Sequence, residues 1–128
     1  MLTEQKTVLQ DKEKVYSHVA DNLYSVGFSL HLVGYTYLCQ AITEVLCGYD
    51  CCGITKNLYP YIARLNGTSD VAVERAIRMA ITKVCRRGDV AKLKKISNTP
   101  ADRPLHFSNR EFILVMVNEI QKKICESH

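Results

Sequence analysis

Residues 59–78 read YPYIARLNGTSDVAVERAIR, and the fold turns on this stretch. Pro60 fits a helix only in the first turn, where the N–H groups have no intrahelical partner. A helix over about Thr55 to Leu65 that begins near Lys56 or Asn57 meets that condition. Asn66-Gly67 then supplies a tight exit. Thr68 or Ser69 can cap the next helix, with Asp70 at its positive end. This second helix, about residues 69–87, reaches Arg87 and stops at Gly88. Its two terminal arginines suit the negative end of the helix dipole.

Two helices joined by so short a turn form a helix-turn-helix candidate. Ala63 lets them approach closely, Gly67 permits the positive φ of the turn, and Val73 and Ala76 pack the second helix onto the first. Many helical hairpins satisfy the same spacing, so the rest of the chain has to decide.

Upstream, residues 3–26 carry Val15, Tyr16, Val19, Ala20, Leu23 and Tyr24 at the 3.6-residue period and stop at Gly27. Gln10 to Lys14 is wholly polar, and residues 1–14 read as a loose N-terminal extension. Residues 31–47 repeat the pattern with Leu32, Tyr35, Leu38, Ala41, Ile42, Val45 and Leu46 and stop at Gly48. That segment is nearly free of charge, so it is expected to be the most buried helix. Downstream, Asp89 can cap a short basic helix from Val90 to Ile96. Pro100 and Pro104 mark a loop. Ser108-Asn109-Arg110-Glu111 is a capping box before an apolar helix that reaches about Glu126. No segment alternates as a strand does. The expected class is all-α: one domain over residues 1–128, six helices around one core, the third and fourth forming the helix-turn-helix.

Composition agrees with one compact domain. The chain has 128 residues and is 47% hydrophobic, with 6 glycines and 3 prolines. This is enough apolar material for a core and too few turn residues for a many-stranded sandwich. The longest apolar run, Phe112 to Val117, is far short of the roughly 20 residues a membrane helix needs. The first residues are polar and mixed in charge, unlike a secretory leader, so the expected location is cytoplasmic.

The net charge of +4 is unevenly placed: residues 54–96 carry +7 and the remainder −3. A basic block inside a folded domain suits a phosphate-bearing partner, although a solvated helix face gives the same count. The helical wheel of residues 69–87 adds direction. Val73, Ala76, Ile77, Ala80 and Val84 share one face; Val71, Glu74, Arg75, Arg78 and Thr82 centre on the other. An exposed face with one Glu and two Arg can read bases in a major groove. Arg pairs with guanine, Glu accepts from the cytosine amino group, and Val71 can touch a thymine methyl. The plain alternative is a Glu74–Arg78 surface pair worth about 0.3–0.5 kcal/mol. Candidate phosphate contacts are Lys56, Arg64, Thr68, Ser69, Thr82, Lys83, Arg86, Lys92, Lys94 and Lys95. Tyr59 and Tyr61 are either core residues or further phosphate contacts.

The chain also resembles a known family. Gly34-Tyr35-Thr36-Tyr37-Leu38, Ala41-Ile42, Gly53-Ile54-Thr55-Lys56, Leu58-Tyr59-Pro60 and Ile62-Ala63 occur in the order seen in the DNA-binding effector domains of the stage-zero sporulation response regulators. Val73-Glu74-Arg75-Ala76-Ile77-Arg78, Ala80-Ile81, Arg87-Gly88, Asn109 and Glu111-Phe112-Ile113 continue the series, so the similarity spans about residues 15–123. It implies a six-helix transcription regulator whose fourth helix reads a short box in double-stranded DNA, bound as a dimer or as tandem copies. It implies base-reading roles for Glu74, Arg75 and Arg78, subunit contacts through the last helices, and a contact with RNA polymerase, with the sigma subunit the expected partner. Ala72, Met79 and Cys39 stand where the family usually has Arg, His and Arg. The family's full regulators carry a phosphoacceptor receiver domain, and nothing in these residues matches one.

No constellation supports an enzyme, a cofactor or a metal. Cys47, Cys51 and Cys52 cluster without a C-x-x-C pair, and Cys39, Cys85 and Cys125 lie on or beside apolar stripes, so free thiols are expected. The four histidines are dispersed, with His31 opening a helix and His106 in a loop. A second reading stays open: a protein-interaction module that pairs through Phe112, Met116, Ile120 and Ile124 with a full-length regulator and competes without binding DNA.

Overall fold

The computed structural model describes residues 2–48 and 57–126, with side chains from Lys12 onward. Among these residues there are six helices and no strand: α1 (Leu2–Ser25), α2 (Val33–Leu46), α3 (Tyr59–Asn66), α4 (Asp70–Arg87), α5 (Val90–Ile96) and α6 (Asn109–Glu126).

Most boundaries follow local chemistry. The Ser69 hydroxyl accepts from the Ala72 N–H at 3.1 Å, which starts α4. The Asp89 carboxylate accepts from the Lys92 N–H at 3.1 Å, which starts α5. At α6 the capping box is reciprocal. The Glu111 N–H donates to Ser108 Oγ and the Ser108 N–H donates to Glu111 Oε1, both at 3.1 Å.

Two boundaries differ from the sequence reading. Helix α2 begins at Val33 because Leu32 is extended (φ −82°, ψ 128°). His31 therefore precedes the helix instead of opening it. Helix α3 begins at Tyr59, and Pro60 falls in its first turn, as the proline requires. Thr55 and Lys56, the expected start, lie outside the described residues.

Helix α2 is the centre of the domain and packs against α1, α3, α4 and α6. Gly34, Tyr35, Tyr37, Leu38, Cys39, Ala41, Ile42 and Thr43 are all buried, as the absence of charge in this segment led one to expect. Its contact with α4 is backbone to backbone. A Cβ on Gly34 would lie 2.3 Å from the Ala76 carbonyl oxygen and 2.7 Å from Ala80 Cβ, so only glycine allows the approach. Helix α6 closes the core with Phe112, Ile113, Met116 and Ile120, each at 0% exposure. The Phe112 ring meets Phe28 and Phe107 edge-on, with centroids 5.6 Å apart in both pairs.

The polar first half of α1 is attached at one point at least, since Lys12 forms an ion pair with Glu44 of α2 at 2.5 Å. Its other end is tied to the end of α4, where the Asp89 N–H donates to the Val26 carbonyl at 2.9 Å. Every buried side-chain nitrogen and oxygen among the described residues has a hydrogen-bond partner.

Candidate nucleic-acid interface

The turn between α3 and α4 is short. Gly67 adopts φ +64°, ψ 39° and ends α3. The Thr68 N–H returns to the Ala63 carbonyl at 3.0 Å, and the Ser69 carbonyl accepts from the Val73 N–H at 3.0 Å. Ile62, Ala63, Val73 and Ile77 are buried between the two helices. Asn66 donates to the Ile62 carbonyl and to Gln40 Oε1, both at 2.7 Å, which fastens the end of α3 to α2.

Burying Val73, Ile77, Ala80, Ile81 and Val84 turns the opposite side of α4 outward. Val71 is 61% exposed and Met79 65%. Arg75, Arg78 and Thr82 are exposed, and Glu74 is half-buried. Arg78 and Glu74 form an ion pair at 3.2 Å, so the surface pairing weighed above is present in the protein without DNA. At these exposures the pair is worth under about 1 kcal/mol, so little holds the two side chains to each other. The Thr82 hydroxyl donates to the Arg78 carbonyl at 2.9 Å.

This face is anchored from behind by a residue of α6. The Asn109 amide donates to the Tyr59 hydroxyl and to the Glu74 carbonyl, both at 3.1 Å, so one side chain joins α3, α4 and α6. Tyr59 is 4% exposed. Burial pushes its phenol above the usual tyrosine value, while the Asn109 hydrogen bond acts the other way. Tyr59 is therefore a core anchor and not a phosphate contact. Tyr61 is partly buried against the same core.

The basic block is divided by the fold. Arg64 and Ser69 are exposed and Thr68 is half-buried around the turn. Arg78, Thr82, Arg86 and Lys94 border an open cleft of about 800 Å³ between α4, α5 and the start of α6. Lys83 flanks the α1–α2 loop. Lys92 and Lys95 border a different cleft, with Lys122 and Lys123 of α6. Lys92 also donates to Ser25 Oγ at 2.9 Å. The spacing within α5 explains the split: Lys94 is two residues from Lys92 and points to another side of the helix. Lys56 lies outside the described residues.

The expected self-association face requires correction. Phe112, Met116 and Ile120 are wholly enclosed by the domain's own core, so they are not presented to a second chain. The apolar stripe of α6 is an inner face, and Ile124 packs partly buried at its end.

The described cysteines differ in exposure. Cys39 is buried, and burial pushes its thiol up to about 12, with hydrogen bonds from Tyr35 and Tyr16 acting in the opposite sense. Cys85 is half-buried and raised for the same first reason. Cys125 is exposed. Cys51 and Cys52 lie outside the described residues, among which no group of His, Cys, Asp and Glu is placed to hold a metal ion.

Six helices, a glycine turn with a serine cap and a cationic outer face make a domain compatible with the helix-turn-helix class. Residues 9–120 match the family described as Sporulation initiation factor Spo0A C terminal, and the chain belongs to that family. It is a DNA-binding domain of the sporulation-initiation regulators, a family of transcription factors and not of enzymes. No helix among the described residues is long and apolar enough to cross a membrane.

Proposed function

We propose that the domain recognises a short double-stranded DNA box by seating α4 in the major groove. Arg75 and Arg78 would pair with guanine, Glu74 with the cytosine amino group, and Val71 with a thymine methyl. Arg64, Thr68, Ser69, Thr82, Lys83, Arg86 and Lys94 would hold phosphates and set the register. Lys92 and Lys95 border another cleft, so the proposed register is built without them. The observation that supports the reading is the outer face of α4, where Val71, Arg75 and Arg78 stand exposed on one side of a helix whose other side is core. Pairing of two copies on DNA and a contact with RNA polymerase belong to the same reading. The pairing would use a surface other than the enclosed stripe of α6. Of the four residues of the competitor reading, that enclosure leaves Ile124 partly accessible.

The test is a fluorescence anisotropy titration of a sporulation-type box against a scrambled duplex at two salt concentrations. Arg75→Ala and Arg78→Ala are each expected to cost about 1–3 kcal/mol on the box and to relax one base position. Equal losses on the box and the scrambled duplex would overturn the base-reading role.

A further inference from the structure

The cleft beside α4 extends the binding surface beyond the residues that charge counting selects. One wall is α4, through Arg78, Thr82 and Arg86. The second is α5, through Lys94, and the third is the start of α6, through Arg110. Four cations from three elements therefore face about 800 Å³ of open space. Glu74 is the acidic residue on that lining, and it is already engaged by Arg78. Lys94 donates to the Ala101 carbonyl at 2.8 Å, a neutral partner that fixes the ammonium without cancelling its charge. Arg110 is exposed. It sits in sequence between Asn109, which is bonded to α4, and Glu111, which caps α6. Its main chain is therefore held in place relative to the base-reading face.

Like charges gathered on one concave surface repel one another unless an anion lies between them. The cleft is continuous with the base-reading face, because Glu74, Arg78 and Thr82 belong to both. The geometry points to a phosphate-backbone channel: the DNA strand leaving the recognised box runs between α4 and the start of α6. Arg86, Lys94 and Arg110 clamp its phosphates. The inference rests on the major-groove reading above and adds Arg110 as a binding residue from an element that reading does not use.

Two duplexes test it, one trimmed to the box and one carrying several flanking base pairs on each side. Arg110→Ala is expected to lose roughly fivefold in affinity at 150 mM salt on the flanked duplex only. The slope of log affinity against log salt should become shallower by about 0.9. Lys94→Ala should behave alike. Lys95→Ala removes the same charge from the other cleft and should leave the advantage of the flanked duplex unchanged. Circular dichroism melts confirm that each variant is folded.

Equal behaviour of Arg110→Ala and the wild type on both duplexes overturns the channel, as does an equal loss on both. If the wild type shows no preference for the box, base reading by α4 fails. The channel is then judged on the salt slope alone, and an unchanged slope for Arg110→Ala overturns it. Competition by inorganic pyrophosphate that Arg110→Ala abolishes, without any flank dependence, assigns the cleft to a small phosphate ligand and also overturns it.

Discussion

The side-chain amide of Asn109 donates to the main-chain carbonyl of Glu74 at 3.1 Å, so the first residue of α6 grips α4 in its first half. The same amide donates to the Tyr59 hydroxyl, also at 3.1 Å. A half-buried amide making two hydrogen bonds stabilises by about 1–2 kcal/mol in all. Asn109→Ala should lower stability by that amount in urea unfolding. If the bond also sets the pose of α4, the variant should lose more affinity for the specific box than for a scrambled duplex. Uniform loss on both duplexes would assign Asn109 to stability alone.

Gly34 holds α2 against α4 through bare backbone. A methyl group there meets the Ala76 carbonyl oxygen at 2.3 Å, and neither partner is a flexible chain end that can swing aside. Gly34→Ala is expected to cost about 1–3 kcal/mol by overpacking. The measurement is the urea midpoint at unchanged m-value. A midpoint within experimental error of the wild type would show that the two helices do not approach so closely.

Phe112 distinguishes a core stripe from a subunit interface. Fully enclosed and edge-on to Phe28 and Phe107, it should cost about 3–5 kcal/mol when cut to alanine, enough to unfold a marginal domain at moderate temperature. Phe112→Leu should retain a folded domain with DNA binding near the wild-type level. A Phe112→Ala protein of full thermal stability that no longer associates in sedimentation would return the residue to an interface.

Glu111 makes the start of α6 sensitive to acid. Its carboxyl is held below the ordinary value of 4.5, chiefly by the Ser108 N–H and then by the Ser108 hydroxyl. A lowered folded pKa means that the ionised form favours folding. This contribution is complete above the unfolded value and is lost as pH falls through the lower, folded one. The side chain is exposed, so the effect is small. The melting temperature of the wild type should exceed that of Glu111→Gln at pH 7, and the gap should narrow by pH 3. A gap of equal size at both values would rule out the charge as its source.

Much of this molecule was decided within short stretches of chain. Ser69, Asp89 and the Ser108–Glu111 pair each satisfy N–H groups within three residues of themselves, so they marked the starts of α4, α5 and α6 before any packing was known. The core side of α4 followed from helical period alone, and with it the exposed side carrying Arg75 and Arg78. What local pattern could not separate was an apolar stripe facing inward from one facing a partner. Phe112, Met116 and Ile120 have the same spacing in either case, and only the placement of α6 beside α2 and α4 encloses them.

The charge block shows the same division. Sequence established that residues 54–96 are strongly basic, because charge is a property of each side chain by itself. Tertiary structure decided which of those cations lie together. It sent Lys94 to the cleft beside α4, and Lys92 and Lys95 to the cleft beside the end of α6. It also brought Arg110 and Asn109 to α4 across more than thirty residues of chain. Helix period and capping act over one or two turns, whereas a charged cleft and a cross-helix anchor exist only once distant helices are packed.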